Sequence, residues 1–125
     1  MRTIAAISTP YGKGGVALIR VSGDDAIEIV QKVAIRMGNQ PLSETPSNKA
    51  VRVTFIDGGT AFDDGLLTLF RAPHSFTGED TAELCCHGGI LLTQKLLSAV
   101  FSAGAFPASA GEFTRRAFQN GKISL

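Results

Sequence analysis

The amino-acid sequence predicts an α/β domain of α+β-like character, in which a mixed sheet of about five strands packs with three helices. Short, mainly apolar segments at residues 3–7, 16–21 and 81–86 have the length and punctuation of strands. Longer segments with apolar residues at helical spacing follow two of them. Residues 49–57 and 65–70 are two further strand segments in succession. They predict an antiparallel hairpin and therefore a sheet that is not purely parallel.

The composition is that of one compact globular domain. Of the 125 residues, 44% are hydrophobic and 18% are charged, which argues against a disordered chain. The net charge of +1, without a basic block, argues against a stand-alone nucleic-acid-binding domain. No apolar run approaches the roughly 20 residues that span a bilayer, and the first residues do not form a signal peptide. A cytoplasmic location is therefore expected.

A glycine-rich loop, Ser8–Gly15, separates the first two predicted strands. Its backbone amides and Lys13 could cradle an anion. A Walker loop, however, has four residues between its first glycine and the Gly-Lys-Ser/Thr, and it opens a helix. Here Lys13 follows Gly12 directly, no hydroxyl follows Lys13, and a strand comes next. We interpret the segment as a tight turn, or as a loop that lets a ligand or a partner backbone approach closely.

The first predicted helix begins at the capping-box pair Ser22 and Asp25 and runs to about Met37. Its predicted buried stripe comprises Ile27, Val30, Ala34 and Met37, with Ile29 and Val33 alongside. The hairpin that follows is predicted to have a connection wider than two residues.

Two further helices follow the predicted strand 81–86. The second opens at Gly88-Gly89 and extends through about Ser102. The third, Glu112–Gln119, has a capping-box start at Ser109. Its predicted inward side chains are Phe113, Ala117 and Phe118, and its predicted solvent-facing side chains are Arg115 and Arg116.

A carboxylate, Glu83, lies inside the predicted strand 81–86. Alternation places two sets of side chains on opposite faces: Thr81, Glu83 and Cys85 on one, and Ala82, Leu84 and Cys86 on the other. Because burying an unpaired carboxylate is costly, Glu83 either lies on a solvated face or is held facing a partner.

The chain contains two cysteines and two histidines. Cys85 and Cys86 are neighbours whose side chains diverge on a strand, so a mutual disulfide would be strained. They form no C-x-x-C motif, and we interpret them as structural thiols. His74 and His87 lack the spacing of a zinc site, and no metal site is predicted.

Three stretches together resemble a known family. They are residues 9–23, with Thr-Pro-Tyr-Gly-Lys-Gly-Gly-Val and Arg-Val-Ser-Gly; residues 75–89, which end in Cys-Cys-His-Gly-Gly; and residues 111–122, Gly-Glu-Phe-Thr-Arg-Arg-Ala-Phe-Gln-Asn-Gly-Lys. In order and spacing they resemble the N-terminal domain of the tRNA-modification GTPase family MnmE, also called TrmE. The resemblance covers essentially the whole chain, so residues 1–125 are expected to form a single N-terminal domain.

The resemblance implies a fold related to the folate-binding domains of aminomethyltransferases. It also implies a homodimer that binds 5-formyl-tetrahydrofolate, or a related tetrahydrofolate, near the dimer interface. The folate contacts of the family fall on Arg20, Glu83 and Lys122, and all three residue types match. In the family the parent protein hydrolyses GTP, with Mg²⁺ and K⁺, outside this domain. With the flavoprotein MnmG (GidA), it modifies the wobble uridine, position 34, of certain tRNAs.

The three residue types suit a pterin. Its edge presents an amino group and a ring N–H as adjacent donors, which Glu83 can accept in parallel. Arg20 and Lys122 suit its carbonyl oxygens or the anionic glutamate tail. The alternatives are structural: Arg20 in a strand-surface ion pair, Glu83 on a wet sheet face, and Lys122 at a solvated helix end. Ala110 stands where the family usually has proline and Ser124 where it usually has aspartate, both near Lys122.

Two other functions stay open at this point. The sequence contains no Walker loop and no guanine-specificity motif, so the chain by itself is expected to hydrolyse nothing. It could be a purely structural dimerisation domain with no tight ligand. It could also be an autonomous folate-dependent transferase, although nothing beyond Glu83 suggests a general acid or base and nothing marks a nucleophile.

Overall fold

The computed structural model describes residues 1–8 and 17–124. The strands and helices in chain order are β1 (Ile4–Ile7), β2 (Leu18–Ser22), α1 (Ala26–Gln31), β3 (Ala34–Arg36), β4 (Val51–Asp57), β5 (Thr60–Phe70), β6 (Thr81–Cys86), α2 (Ile90–Ser102), β7 (Phe106–Pro107) and α3 (Glu112–Gln119). A 3₁₀ turn occupies Leu42–Glu44. The predicted glycine-rich loop lies, except for Ser8, outside the described residues. Of the three α-helices in the described ranges, none combines the length and apolar character needed to cross a bilayer.

The strands form one mixed sheet in the order β3-β4-β5-β6-β2-β1-β7. Neighbours pair antiparallel except β1 and β7, which are parallel. The predicted α/β class, mixed sheet and three helices are confirmed, but the sheet has seven strands, not about five. The two strands missed, β3 and β7, lie at opposite edges of the sheet and have only three and two residues. Segments this short carry no readable alternation pattern.

Helix α1 ends at Gln31, so the prediction that it reaches about Met37 is wrong. Ala34–Arg36 instead pair with β4, and the Ile56 N–H donates to the carbonyl oxygen of Val33 at 2.8 Å. Without β3, the outer edge of β4 would have unpaired backbone N–H and C=O groups. The hydrogen bonds between β3 and β4 satisfy these groups and favour a strand over continuation of the helix. Met37 is consequently exposed instead of buried.

The two capping-box predictions differ in outcome. Ser22 belongs to β2, and the N-cap of α1 is Asp25 without a side-chain hydrogen bond, so that prediction is wrong. At the start of α3 the carboxylate of Glu112 accepts the Ser109 N–H at 2.8 Å, which is one half of a capping box. The N-cap position itself is Gly111.

Strands β4 and β5 form the predicted antiparallel hairpin, but its turn is tight. Asp57 pairs with Thr60, which leaves Gly58 and Gly59 as the turn. Their φ angles are 57° and 85°, and two successive positive values are what a type I′ hairpin turn requires. The prediction of a wider connection is wrong because the polar start of β5 pairs as a strand without apolar alternation.

Helices α1 and α2 bury one face of the sheet. The fully buried side chains at this contact include Val21, Leu67 and Leu84 from strands and Val30, Leu96 and Val100 from helices. Helix α2 begins after Gly89 and ends at Ser102, as predicted. The opposite face carries Arg20 and Glu83 and is approached by α3 at one end.

Candidate ligand-binding site

Arg20 and Glu83 form an ion pair across two strands. The antiparallel register of β2 and β6 sets them directly opposite each other. Arg20 donates from both Nε and Nη2 to Glu83 Oε2, at 3.1 and 3.0 Å. Their side chains are 19% and 24% exposed. The predicted alternation of β6 is confirmed, since Ala82, Leu84 and Cys86 are buried in the core.

Two phenylalanines flank the Arg20 guanidinium. Its central carbon lies 5.1 Å from the ring centroid of Phe76 and 5.6 Å from that of Phe113. Both distances are within the range of cation–π attraction. Phe76 comes from the loop between β5 and β6, and Phe113 comes from α3. Arg20 is therefore held by a carboxylate and by aromatic groups from two other parts of the chain.

The ion pair leaves hydrogen-bonding capacity unused. Within the described residues, Arg20 Nη1 donates to no side chain or backbone group, and Glu83 Oε1 accepts from none. A ligand with a donor and an acceptor can therefore bind this pair without breaking it. Bonds to ionised groups are shorter and stronger than neutral ones, so two such bonds would also orient a ligand.

Lys122 follows α3 and lies against the loop that carries Phe76. Among the described residues it forms no hydrogen bond or ion pair with Arg20 or Glu83. Its Nζ donates to the Pro73 carbonyl at 3.0 Å, and the side chain is exposed. A Cβ built on Gly78 would lie 3.4 Å from Lys122 Cγ and 3.0 Å from Asn120 Cβ. The structure thus brings Arg20 and Glu83 into direct contact and places Lys122 against the adjacent loop.

A buried polar network anchors this loop, centred on Glu79. Ser22 Oγ donates to Glu79 Oε1 at 2.8 Å, and Ser22 Oγ lies 2.7 Å from Thr77 Oγ1. Arg116 Nη1 donates to both oxygens of Glu79, at 3.0 and 3.2 Å. Asn120 Nδ2 donates to the Thr77 carbonyl at 2.7 Å. The loop is therefore attached to β2 and to α3 at the same time.

Arg116 was predicted to face solvent, but it is only 2% exposed. Its Nη2 donates to the Arg2 carbonyl at 2.9 Å and to Glu112 Oε2 at 3.0 Å. Phe118, predicted to face inward, is exposed instead. The prediction assumed that the apolar side chains of α3 face inward and the charged ones face solvent. It fails because α3 buries the Arg116 guanidinium against carboxylates and leaves the Phe118 ring exposed. Arg115 is exposed as predicted.

The titration of three groups reflects their surroundings. Hydrogen bonds from Ser109 lower the pKa of Glu112, and Arg116 lowers it further. Burial raises the pKa of the Cys85 thiol, with a further contribution from Glu83. Burial also raises the pKa of Cys86 to about 11. Both thiols are thus protonated at neutral pH, which agrees with a structural role.

The side chains of the ion pair are partly exposed to solvent. Two surface pockets of about 320 Å³ each lie elsewhere, one beside β3 and Pro41 and the other beside Lys32 and the end of α2. Residues 1–8 and 17–124 contain no group of three or more His, Cys, Asp or Glu able to hold a metal ion. The arrangement is suited to binding a polar, planar ligand by hydrogen bonds and stacking.

Sequence reasoning missed four residues of this region: Phe76, Glu79, Phe113 as an Arg20 contact, and Arg116. Phe76 and Glu79 lie within the stretch 75–89 that carries the resemblance, and the other two lie within 111–122. Membership in these two motifs was the sequence signal for the four residues. The contacts that they make could not be predicted, because the partners are distant in sequence.

Comparison with known proteins gives concordant matches. The family model described as "GTP-binding protein TrmE N-terminus" matches residues 3–122. The chain is similar to proteins named "tRNA modification GTPase MnmE" from Carboxydothermus hydrogenoformans, Moorella thermoacetica and Chlamydia felis. The identities are 46%, 47% and 48%, each over 98% of this chain.

The chain spans about a quarter of the length of these curated relatives, 27% in each of the three cases. The match to the family model covers both the Arg20–Glu83 pair and Lys122. The chain therefore belongs to the family of TrmE N-terminal domains, the N-terminal domains of MnmE tRNA-modification GTPases.

Proposed function

We propose that this domain binds a tetrahydrofolate one-carbon donor, 5-formyl-tetrahydrofolate or a close relative, at the Arg20–Glu83 pair. The observation that carries the proposal is an acceptor and a donor, Glu83 Oε1 and Arg20 Nη1, that have no hydrogen-bond partner among residues 1–8 and 17–124 and lie beside two aromatic rings. A pterin edge offers N–H donors for the carboxylate and a carbonyl oxygen for the guanidinium. The ring faces of Phe76 and Phe113 offer apolar contact to the flat heterocycle.

Lys122 is assigned to the glutamate tail of the folate. Its side chain is exposed, and within the described part of the chain its ammonium group donates one hydrogen bond, to the Pro73 carbonyl. A flexible, strongly hydrated cation suits a carboxylate at the mouth of a site better than a buried heterocycle. A folate is an extended molecule with a pterin at one end and an anionic tail at the other, so a cation on the segment packed against the Phe76 loop suits the tail.

Homodimerisation through this domain is the second part of the proposal. The sheet face that carries Glu83 also carries Leu66, which is 42% exposed, and Phe76 beside Arg20 is 44% exposed. A second copy covering this face would remove apolar area from water and exclude water from the ion pair. Charge-assisted bonds to a ligand would then be stronger.

The wider role is proposed for the longer protein to which such a domain belongs. The relatives carry the name tRNA modification GTPase. We assign GTP hydrolysis, with its Mg²⁺ and K⁺, to regions outside this chain. Together with the flavoprotein MnmG (GidA), the longer protein would use the folate-borne carbon to modify the wobble uridine of tRNA in the cytoplasm. The domain itself binds the donor and performs no catalytic step.

Calorimetric titration with 5-formyl-tetrahydrofolate tests the ligand, after sedimentation has established the mass of the particle. Arg20→Ala and Glu83→Ala should abolish the binding heat and leave the mass unchanged. Arg115→Ala is the matched control, because Arg115 is an exposed arginine on α3 that donates to Ser109 and not to Glu83. Absence of binding by a well-folded wild-type dimer would refute the ligand and leave a structural dimerisation domain. Turnover of folate by the isolated chain would instead favour a transferase.

A further inference from the structure

The two aromatic rings around Arg20 are carried by two separate elements. Phe76 belongs to the loop between β5 and β6, whose residues 71–80 form bends and turns with no strand or helix. Phe113 belongs to α3. The spacing of the rings, and therefore the shape of the surface beside the ion pair, depends on what holds this loop to α3.

Among the described residues, the charged contact between the loop and α3 is the pair of Glu79 and Arg116. The guanidinium reaches both oxygens of Glu79, and its other end reaches Glu112 and the Arg2 carbonyl. The fork of the guanidinium fixes the directions of these bonds, so it sets the orientation of the elements it joins as well as their distance. Two hydrogen bonds to loop carbonyls, from the amide of Asn120 and the ammonium group of Lys122, lie closer to the end of the helix.

The environment of Arg116 indicates that this residue fixes the relative positions of the segments it joins, more than it adds to the stability of the fold. An arginine is almost never fully buried unless it is paired, and Arg116 is buried with two carboxylates. Buried ion pairs contribute little net stability relative to apolar replacements, although loss of one partner is harmful. Within the described residues Arg116 Nε has no hydrogen-bond partner, so the burial is not fully compensated. Such a group is better explained by the geometry it enforces.

We propose that Arg116 is a positioning residue of the Arg20 site. Through Glu79 it fixes the loop that carries Phe76 relative to the helix that carries Phe113, and so sets the positions of both rings near the Arg20 guanidinium. Its effect on ligand affinity rests on the proposed folate function. Its effect on the rings belongs to the ligand-free domain and can be measured without folate.

The test compares Arg116→Lys and Glu79→Gln with wild type in the complete 125-residue chain. Arg115→Lys is the matched control, since Arg115 neighbours Arg116 on α3 but is exposed and contacts Ser109. The first readout is the Nε–Hε signal of Arg20 in a two-dimensional ¹H–¹⁵N spectrum, assigned by its loss in Arg20→Lys. Ring currents from Phe76 and Phe113 shift this signal away from that of a solvent-exposed arginine. The second readout is the dissociation constant for 5-formyl-tetrahydrofolate.

Arg116→Lys and Glu79→Gln should move the Arg20 signal toward that of an exposed arginine and raise the dissociation constant at least tenfold. Arg115→Lys should change neither readout. A merely stabilising role for Arg116 would lower the melting temperature and leave the Arg20 signal of the folded protein in place, and that result would overturn the proposal. An unchanged affinity in a protein that binds folate would overturn it as well.

The variants keep the two proposals separate. If wild-type protein binds no folate, the proposed function fails, and the Arg20 signal alone decides whether Arg116 positions the rings. If Arg116→Lys does not fold, Glu79→Gln tests the same contact from the other side. It keeps the size of the side chain but removes its charge and replaces one of the two oxygens that accept from Arg116 with an NH₂ group.

Discussion

Arg20 on β2 and Glu83 on β6 face each other directly, and both arginine N–H groups that reach the carboxylate converge on one oxygen, Oε2. The other carboxylate oxygen and the other guanidinium nitrogen are left free within the described residues. The pair is thus preorganised by the register of two strands.

Glu83→Gln should weaken ligand binding much more than it lowers the stability of the folded domain. The amide keeps the size of the side chain but loses the charge, so a ligand loses a charge-assisted hydrogen bond of about 1.5–3 kcal/mol. Affinity for 5-formyl-tetrahydrofolate should therefore fall by roughly 10- to 100-fold. The free energy of unfolding should change by less than about 1 kcal/mol, because the ion pair is partly exposed to solvent. Calorimetry and urea unfolding measure the two quantities, and a stability loss as large as the affinity loss would contradict the assignment.

Gly78→Ala should destabilise the domain more than Gly121→Ala. Both glycines have positive φ, 84° and 73°, a conformation that costs an L-residue about 1–2 kcal/mol. A Cβ on Gly78 would also crowd Asn120 Cβ at 3.0 Å, whereas a Cβ on Gly121 meets no atom within 4 Å. Urea unfolding of the two variants measures the difference, and equal losses would show that the contact with Asn120 adjusts without cost.

Glu112 should contribute an acid-sensitive share of the stability. Its pKa is lowered in the folded protein, first by the Ser109 N–H, so the folded state favours the ionised carboxylate. This contribution is present above the ordinary pKa of the group, 4.5, and is lost as the pH falls through the lowered folded value. Glu112→Gln should therefore lower the free energy of unfolding near neutral pH. The variant should also lose less of its stability than the wild type as the pH falls below 4.5. Urea unfolding from pH 7 to pH 3 is the measurement, and Glu44→Gln, at an exposed glutamate, is the control.

Cys86 should react slowly with thiol reagents. Burial raises its pKa from an ordinary 9.0 to about 11, so its thiolate fraction at pH 8 falls about 100-fold. Limited access to the buried sulfur slows the reaction further. The rate of Cys86 is measured with Ellman's reagent in a Cys85→Ser variant, against a small free thiol as reference. A rate close to that of the reference would show that the end of β6 opens readily.

The sequence predicts an element correctly where its local pattern of apolar and polar residues matches its position in the folded domain. The alternation of β6 separates Glu83 from the core, Gly88-Gly89 marks the start of α2, and the bounds of α3 are as predicted. The pattern fails at Ala34–Arg36, where apolar residues at helical spacing form a strand because β4 supplies a pairing partner. Partner availability is not encoded locally.

Three residues of the candidate site were predicted from the sequence, but the contacts among its residues were not. Arg20, Glu83 and Lys122 are predicted as site residues from the resemblance of the sequence to a family, and their residue types indicate a ligand with both donors and acceptors. The pairing of Arg20 with Glu83 depends on strand register. The positions of Phe76 and Phe113 near Arg20 depend on the packing of a loop and a helix.

The sequence by itself determined the class of the domain, its family and the residue types available to a ligand, because these follow from local pattern and motif. Tertiary structure alone decided that Arg116 is buried against Glu79 and Glu112. Position on a helix shows which residues share a face, but the polarity of what covers that face comes from distant segments. A buried cation is stable only where such segments bring carboxylates to it.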